Sequence, residues 1–417
     1  MRYAGMQLLL NDIKSDPSVA QAVPAMTADG RCVRCGQNLT IKLPIGLRYC
    51  PVCVNLGRVV EGQSLYRFDA PKFPATHSLT WSGELTPAQR VASDQLLQSV
   101  QVHREHLLWA VTGAGKTEML FPAIAEVLDA GGRVGIAAPR IDVVRELAPR
   151  LAQAFAHTLM AVRYGGAPWS KHDVALTVLT THQLLRYYHC FDLLVIDEVD
   201  AFPFAHDEAL MYAAKHAVKG SLVWLSATPP KALLQQGRTG KIGLSTLPRR
   251  FHGQPLPVPK LAWVKKVKLP KQLPPQLLAQ LKALVTTHRI LLFVPDIDWL
   301  VPITNALRQH LKVEIQSVHA QDEQREAKVL AFRAGQIEVM VTTTILERGV
   351  TIHRCAVIVL AADSPRFGRD ALIQMAGRAG RAADSPDDPV WFYAQHYTRE
   401  LQVAITTIEK LNHTKAG

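Results

Sequence analysis

The sequence predicts an α/β protein in which a four-cysteine module precedes two parallel-sheet lobes. Three observations support this fold class. Apolar strand candidates alternate with helix-like segments over residues 85–236 and again over residues 276–417. A glycine-rich loop lies between a strand and a helix in the first series, and two CxxC pairs precede both series. Such alternation is typical of a parallel sheet that is covered by helices on both faces.

Length and charge limit the possible functions. The 417 residues suffice for two or three domains, since single domains usually hold roughly 100–200 residues. The 47 Lys and Arg residues outnumber the 35 Asp and Glu residues, which leaves a net charge of +12 and favours a polyanionic partner such as nucleic acid or an acidic membrane surface. No apolar run approaches the roughly 18 residues of a membrane span, and no signal-peptide cleavage site is recognisable. We therefore expect a cytoplasmic protein without a transmembrane segment.

The amino-terminal part divides into three segments. Residues 1–30 have a mixed composition and are predicted to be partly flexible. Residues 31–60 contain two CxxC pairs separated by fourteen residues, which in a cytosolic chain favour a metal over disulfides. Four thiolates would surround a Zn²⁺ ion and leave no position for water, so the site would be structural, with redox-active dithiols as the alternative. The predicted zinc ligands are Cys32, Cys35, Cys50 and Cys53. Residues 61–84 are predicted to be a connector.

The two α/β series follow this connector. In the first, strands are predicted at 107–111, 134–138, 174–180, 193–196 and 222–226. Residues 237–275 are rich in glycine and proline, as expected for a connection between lobes. In the second, strands are predicted at 290–294, 313–317, 339–343 and 356–361, with helices that include 323–334 and 370–379.

The loop between the first strand and its helix has the composition of a phosphate-binding loop. Gly113 and Gly115 would let backbone N–H groups converge on phosphate oxygens. Lys116 would reach the β- and γ-phosphates, and Thr117 would ligate Mg²⁺. With Thr112 and Ala114, these residues form the predicted ATP-binding loop.

A second segment completes the chemistry. The apolar strand 193–196 ends in Asp197 and Glu198. Asp197 suits the magnesium shell and Glu198 suits the orientation of an attacking water. The glycine-rich loop and the two carboxylates together predict a nucleoside triphosphatase.

In this order the segments resemble superfamily 2 helicase-like ATPases of the DEAD type, from about residue 85 to residue 385. The phosphate loop resembles their motif I, and Asp197-Glu-Val-Asp200 resembles motif II. Ser226-Ala-Thr228 resembles motif III, Thr343–Gly349 motif V and Gln374–Arg381 motif VI. The resemblance implies two RecA-like lobes, the first binding ATP and the second corresponding to the helicase carboxyl-terminal domain.

The resemblance also implies roles for individual residues. Gln89 would contact adenine, and Ser226 and Thr228 would couple hydrolysis to movement. Arg378 and Arg381 would stabilise charge on the transferred phosphoryl group, to which a planar guanidinium is well suited. Further nucleotide contacts are implied for Gly349 and Gln374. The residues implied to touch the nucleic-acid backbone are Pro139, Arg140, Thr180, Thr181 and Thr343.

A closer resemblance is carried by the four-cysteine module, the run Leu179–Arg186 and the run Ile196–Pro203. Together they resemble the ComFA-type late competence ATPases of transformable Gram-positive bacteria, over Cys32 to Arg381. This resemblance implies a cytoplasmic motor, peripheral at the inner face of the cell membrane, that draws single-stranded DNA through the uptake channel. The partners it implies are the membrane DNA channel, ComFC and recombination mediators.

Three other functions stay open from the residues alone. A DEAD-type RNA helicase is disfavoured by the zinc module and by Thr351, where such helicases usually carry aspartate. A replication-restart helicase of the primosome type would need more chain for its additional DNA-binding domains. A nucleotide-switched, zinc-containing nucleic-acid clamp would not need Glu198, Arg378 or Arg381.

Overall fold

The computed structural model describes residues 3–14, 16–168, 172–264, 269–270, 272–347 and 352–413. The chain divides into two compact units. The first comprises Met1–Ala110 and Lys116–Thr246, and the second comprises Val111–Gly115 and Leu247–Gly417. Among the described residues, no helix has both the length and the apolar character needed to cross a bilayer.

The amino-terminal part of the first unit contains two small sheets. A three-stranded antiparallel sheet has the order β1-β5-β2, with β1 at Gln7–Leu9, β2 at Gln21–Pro24 and β5 at Ser64–Arg67. A hairpin of β3 (Ile41–Lys42) and β4 (Arg48–Tyr49) lies between them in the chain. Strands therefore occur in segments for which composition predicted flexibility and a connector. These strands have three or four residues each, too few to give a clear alternating pattern.

A seven-stranded sheet forms the centre of the first unit, in the order β12-β6-β11-β10-β7-β9-β8 among the described residues. The registers of β6, β11, β10, β7, β9 and β8 are parallel. The strands are β6 (His106–Ala110), β7 (Val134–Ala138), β8 (Met160–Arg163), β9 (Leu176–Thr180), β10 (Phe191–Ile196), β11 (Val218–Ser226) and β12 (Gly243–Leu247). The helices are α1 (Pro87–Gln101), α2 (Lys116–Met119), α3 (Phe121–Asp129), α4 (Ile141–Ala154), α5 (Glu208–Ala217) and α6 (Lys231–Arg238).

The predicted strands of this sheet are confirmed as β6, β7, β9, β10 and β11, with ends shifted by a few residues. All five residues of β7 and of β9 are buried, because helices cover both faces of a parallel sheet. Such strands are nearly continuous apolar runs and are easily recognised. The terminal strands β8 and β12 were not predicted, since their residues alternate between buried and partly exposed positions.

The four-cysteine module belongs to the hydrophobic core of the first unit. One core cluster contains all four cysteines together with residues of α5 and β10. Gly36, which follows the first CxxC pair, lies against the Tyr212 side chain of α5, and a Cβ atom at Gly36 would lie 2.5 Å from that ring. Arg34 is buried and its Nη1 donates to the carbonyl oxygens of Leu56 and Gly57, at 3.0 and 2.9 Å. The module is thus packed on the helix that follows the predicted motif II.

The second unit is built on a six-stranded sheet in the order β13-β18-β17-β14-β16-β15, with parallel registers throughout the described residues. The strands are β13 (Lys260–Trp263), β14 (Arg289–Phe293), β15 (Ile315–Val318), β16 (Val339–Thr342), β17 (Cys355–Leu360) and β18 (Val390–Ala394). The helices are α7 (Pro275–Leu284), α8 (Leu300–His310), α9 (Arg325–Ala334), α10 (Arg369–Ala376) and α11 (Arg399–His413).

The predicted strands of the second series are confirmed as β14, β15, β16 and β17, and the predicted helices as α9 and α10. Helix α10 is shorter than expected and ends at Ala376, before Gly377. The chain beyond it leaves the helical conformation and is left-handed at Gly380, where φ is 62°. Two edge strands, β12 and β13, begin and end within the glycine- and proline-rich residues 237–275. The sequence did not predict them, because edge strands lack the two-sided burial that marks the central ones.

Candidate nucleotide site and four-cysteine centre

Segments with predicted functions follow, along the chain, five neighbouring strands of the sheet in the first unit. The neighbouring strands β6, β11, β10, β7 and β9 run parallel, so their carboxyl ends lie at the same edge. The loop Val111–Gly115 follows β6, Ser226 ends β11 and Asp197 follows β10. Pro139 follows β7, and Thr180 ends β9. Ligand sites of open α/β sheets lie at this edge.

The phosphate loop is compact. Gly113 and Gly115 have φ angles of 79° and 76°, in the left-handed region that glycine adopts without steric penalty. The backbone N–H of Ala114 donates to the carbonyl oxygen of Val111 at 3.2 Å. Lys116 Nζ donates to the carbonyl oxygen of Ala110, the last residue of β6, at 3.2 Å. The predicted ATP-binding loop thus runs from Thr112 to Lys116 and ends at Thr117 in α2.

Gln89 has a structural role at the start of α1. Its Oε1 accepts a hydrogen bond from the Thr86 backbone N–H at 2.9 Å, and Thr86 Oγ1 accepts from the Gln89 N–H at 3.3 Å. This reciprocal pair is a capping box. The hydrogen bonds of the capping box account for a glutamine at position 89 in the absence of a nucleotide. The contact of Gln89 with adenine stays a prediction.

The two predicted hydrolytic carboxylates are held by a sharp backbone turn. The Asp197 N–H donates to the carbonyl oxygen of Ala137 at 2.8 Å, and Asp197 Oδ1 accepts from the Glu198 N–H at 2.9 Å. Glu198 has a φ angle of 54°, a conformation that residues with a side chain rarely adopt. Strained residues of this kind persist where surrounding structure holds them, and they cluster at functional sites. The separate tasks of Asp197 and Glu198 stay predictions.

A hydrogen-bond network joins motifs II and III. Ser226 Oγ donates to Asp200 Oδ1 at 2.5 Å, and Thr228 Oγ1 donates to Asp200 Oδ2 at 2.8 Å. The Thr228 N–H donates to Ser226 Oγ at 2.9 Å. Asp200 therefore connects the segments that follow β10 and β11. Sequence reasoning did not single out Asp200, although its place as the last acid of the motif II run was a usable signal.

The predicted nucleic-acid contacts differ in exposure. Thr180 is 6% exposed and Thr181 is fully buried, whereas Arg140 is partly exposed. Pro139 is buried. Thr343 belongs to the second unit, directly after β16, and is partly exposed. Contacts of these residues with nucleic acid stay predictions, and side-chain contacts are sterically easiest for Arg140 and Thr343.

The motif VI residues lie at the end of α10 in the second unit. Gln374 and Arg378 are 2% and 3% exposed, and Arg381 Nε donates to the Gly377 carbonyl oxygen at 3.2 Å. A Cβ atom at Gly377 would lie 2.1 Å from Oγ1 of Thr112, a residue of the same unit. Motif VI thus requires a glycine where it meets the phosphate loop. Gly349, a predicted nucleotide contact, lies outside the described residues.

The four cysteines form one buried cluster. Their sulfur atoms all lie within 4.8 Å of one another, with 3.8 Å between those of Cys32 and Cys53 and 3.4 Å between those of Cys35 and Cys50. Tetrahedral zinc with Zn–S bonds of about 2.3 Å requires S···S separations of about 3.8 Å. Hydrogen bonding to Cys32 raises the pKa of Cys35 and Cys53. A cation would displace those protons, and the cluster could hold Zn²⁺.

Known families account for both lobes. A family model described as DEAD/DEAH box helicase matches residues 86–235, and the helicase conserved C-terminal domain matches residues 275–383. The structure is similar to that of the Mycobacterium smegmatis helicase Lhr bound to ssDNA and AMP-PNP, with a TM-score of 0.60 at 18% identity over 79% of this chain and 48% of that one. The two sheets are therefore RecA-like lobes of an ATP-hydrolysing superfamily 2 enzyme, and this family implies ATP and Mg²⁺ as ligands.

Two curated relatives extend the similarity to the cysteine module. The chain is 40% identical to competence protein ComFA of Bacillus subtilis over 400 residues, which cover 93% of this chain and 86% of that protein. It is 38% identical to competence protein ComFA of Streptococcus pneumoniae over 423 residues, 98% of each chain. Because these similarities span nearly the whole chain, it belongs to the ComFA family of competence proteins, within the DEAD-like superfamily 2 helicases.

Proposed function

We propose that this protein is an ATP-dependent single-stranded DNA translocase that drives the import of transforming DNA across the cytoplasmic membrane during natural competence. The observation that supports a motor best is the network in which Ser226 and Thr228 both donate to Asp200. It links the strand end that carries the candidate hydrolytic carboxylates to the neighbouring strand end. A displacement at one segment would therefore be transmitted to the other.

The proposed nucleotide site assigns a separate task to each residue. Lys116 would bind the β- and γ-phosphates, and Thr117 and Asp197 would hold Mg²⁺. Glu198 would orient and deprotonate the attacking water. Arg378 and Arg381 would stabilise negative charge on the transferred phosphoryl group. The nucleotide's Mg²⁺ would neutralise phosphate charge when bound.

The remaining proposals concern organisation and partners. We propose lobes at residues 85–236 and 276–417, joined by residues 237–275, with zinc held by the four cysteines as a structural ion. The net charge of +12 suits a grip on the DNA backbone. The protein would act at the inner face of the cell membrane with the DNA-uptake channel, ComFC and recombination mediators as partners.

The test is ATP turnover measured with single-stranded DNA, duplex DNA and RNA supplied in turn. We expect the largest stimulation with single-stranded DNA, together with ATP-dependent movement along it. Stimulation by RNA alone would favour an RNA helicase. Negligible hydrolysis with every nucleic acid, despite nucleotide binding, would favour the nucleotide-switched clamp.

A further inference from the structure

Two consecutive arginines follow β12, and their environments differ. Arg249 is exposed, whereas Arg250 is 2% exposed. Arg250 Nη2 donates to the carbonyl oxygen of Ala379 at 2.7 Å, and its Nη1 donates to the carbonyl oxygen of Gly380. A single buried guanidinium therefore binds two successive carbonyl groups of motif VI, directly before Arg381. A rigid fork of N–H donors can bridge such a pair, which a lysine ammonium cannot reproduce.

The charge of Arg250 is poorly compensated by its surroundings. Burial, and then the neighbouring Arg381, lower the pKa of Arg250 to about 9, while Asp388 acts in the opposite direction. Asp388 Oδ2 already accepts from the N–H groups of Cys355 and Gly380, each at 3.0 Å. The Nε–H of Arg250 is buried and has no hydrogen-bond partner among the described residues. Burial and the nearby Arg381 both disfavour the charged form of Arg250, and an anion close to its guanidinium would stabilise that form.

The phosphate loop is the nearest candidate location for that anion. The N–H of Phe251 donates to the carbonyl oxygen of Gly113 at 3.1 Å. The Cγ, Cδ and Nε atoms of Arg250 lie 3.6, 3.7 and 3.8 Å from the position that a Cβ atom of Gly113 would occupy. All of these residues belong to the second unit. The Arg250 side chain therefore lies beside the loop that would hold the phosphates and binds the backbone of motif VI.

We propose that Arg250 is a positioning residue for ATP hydrolysis, which holds the Ala379 and Gly380 carbonyl groups so that Arg381 is aligned with the nucleotide phosphates. This inference rests on the proposed nucleotide site. Removal of the Arg250 guanidinium would let the motif VI backbone shift and would move Arg381 with it. A misplacement of a catalytic group by about 1 Å can lower a rate on the order of 10²-fold. ATP binding itself depends mainly on Lys116 and the loop, so the turnover number should change more than the affinity.

The experiment compares Arg250→Lys and Arg250→Gln with the matched neighbour Arg249→Ala, all as full-length protein with single-stranded DNA. We measure kcat and KM for ATP, affinity for a non-hydrolysable ATP analogue, and thermal unfolding. Arg250→Lys should lower kcat by on the order of 10²-fold with a smaller change in analogue affinity, while Arg249→Ala should match the wild type. Arg250→Gln retains an amide donor, and it takes the place of Arg250→Lys in these measurements if the lysine variant does not fold.

A double-variant cycle tests whether Arg250 acts through motif VI. If it does, Arg250→Lys combined with Arg381→Ala should be no slower than Arg381→Ala alone, because coupled residues lose their effects together. A wild-type kcat in a folded Arg250 variant, or fully multiplicative losses in the cycle, would overturn the inference. Wild-type protein that hydrolyses no ATP, or an Arg381→Ala variant of full activity, would instead contradict the proposed function.

Discussion

At the scale of single residues, Asp197 and Glu198 are adjacent carboxylates that follow the end of β10, and both are partly exposed. Asp197 Oδ1 accepts the N–H of Glu198, whose own φ angle is 54°. Adjacent carboxylates in a regular strand would point to opposite faces of the sheet. Here both residues lie beyond the strand, where the positive φ of Glu198 departs from strand geometry.

We predict that Glu198→Gln retains ATP binding and loses hydrolysis, because the amide cannot accept a proton from water while Asp197 is unchanged. Lys116→Ala should lose productive ATP binding. Nucleotide affinity and single-turnover hydrolysis separate the two effects. Glu208→Gln, at an exposed position of α5, is the control and should behave as wild type. Hydrolysis that persists in Glu198→Gln would show that another carboxylate is the base.

His106 begins the strand that leads to the phosphate loop, and its ring is enclosed by two hydroxyl groups. Its Nδ1 lies 2.8 Å from Ser99 Oγ, and its Nε2 lies 2.9 Å from Ser245 Oγ. Burial, and then the nearby Arg104, lower the pKa of His106 from 6.5 to about 4. The folded protein therefore holds a neutral imidazole, whereas the unfolded chain takes up a proton below pH 6.5.

This difference predicts that stability falls as the pH is lowered from 6.5 toward 4. In that interval the unfolded state binds more protons, so the free energy of unfolding decreases, by up to ~3 kcal/mol for a shift of this size. Denaturant unfolding of wild type and His106→Gln between pH 7.5 and 4.5 measures it. The His106→Gln profile should be flatter, and His103→Asn, at an exposed position, should keep the wild-type slope. Equal slopes in His106→Gln and wild type would contradict the assignment.

At the scale of elements, the cysteine module and α5 stabilise each other. The module's buried cysteines and the α5 residues Leu210 and Ala213 belong to one core cluster. Helix α5 begins with Asp207 as its amino-terminal cap, seven residues beyond Asp200. Packing at the cysteine centre is thereby connected to the region of motif II through a short stretch of chain.

Purified protein should contain about one zinc ion per chain. Cys50→Ala should lose the ion and increase amide hydrogen exchange in residues 31–60 and in α5, because the metal holds a module that packs on this helix. Elemental analysis and hydrogen-exchange mass spectrometry measure both effects. Cys355→Ala, which removes a buried thiol of the second unit, should retain the zinc. Freshly purified protein without zinc would refute the prediction.

The network between motifs II and III gives a separate prediction. Ser226→Ala removes the donor to Asp200 Oδ1 and the acceptor of the Thr228 N–H. We expect ATP hydrolysis to persist while translocation on single-stranded DNA slows, since the two segments lose their connection. Ser221→Ala is the matched control, because Ser221 is a buried serine of the same strand that donates to Val100 instead. Parallel losses of hydrolysis and translocation in Ser226→Ala would argue against a coupling role.

At the scale of the whole molecule, the chain carries a net charge of +12, which favours contacts with a polyanion. Each phosphate neutralised on a single strand changes the slope of log affinity against log salt by about −0.7. We therefore expect binding to single-stranded DNA to weaken steeply with salt and to show little sequence preference. Fluorescence titrations at several salt concentrations with unrelated oligonucleotides measure this. Arg140→Ala should make the slope of log affinity against log salt less steep. A binding affinity that does not depend on salt would contradict this prediction and would require another mode of recognition.

The sequence alone determined the features that depend on local pattern. Central strands such as β7 and β9 are short runs of mostly apolar, fully buried residues, so they are recognisable without a structure. Gly113, Gly115 and Lys116 identify a phosphate loop, because few residue types satisfy its backbone and charge requirements. The CxxC spacing predicted a metal centre for the same reason. The order of these motifs then predicted the family.

Only the tertiary structure decided the features that depend on contacts between distant segments. The edge strands β12 and β13 are stabilised by their neighbours in the sheet rather than by their own apolar content. The packing of the cysteine module on α5, the acceptor role of Asp200, and the contact of Arg250 with motif VI each join residues far apart in the chain. No local pattern encodes such pairs, because a hydrogen bond or a packed core depends on where the fold places both partners.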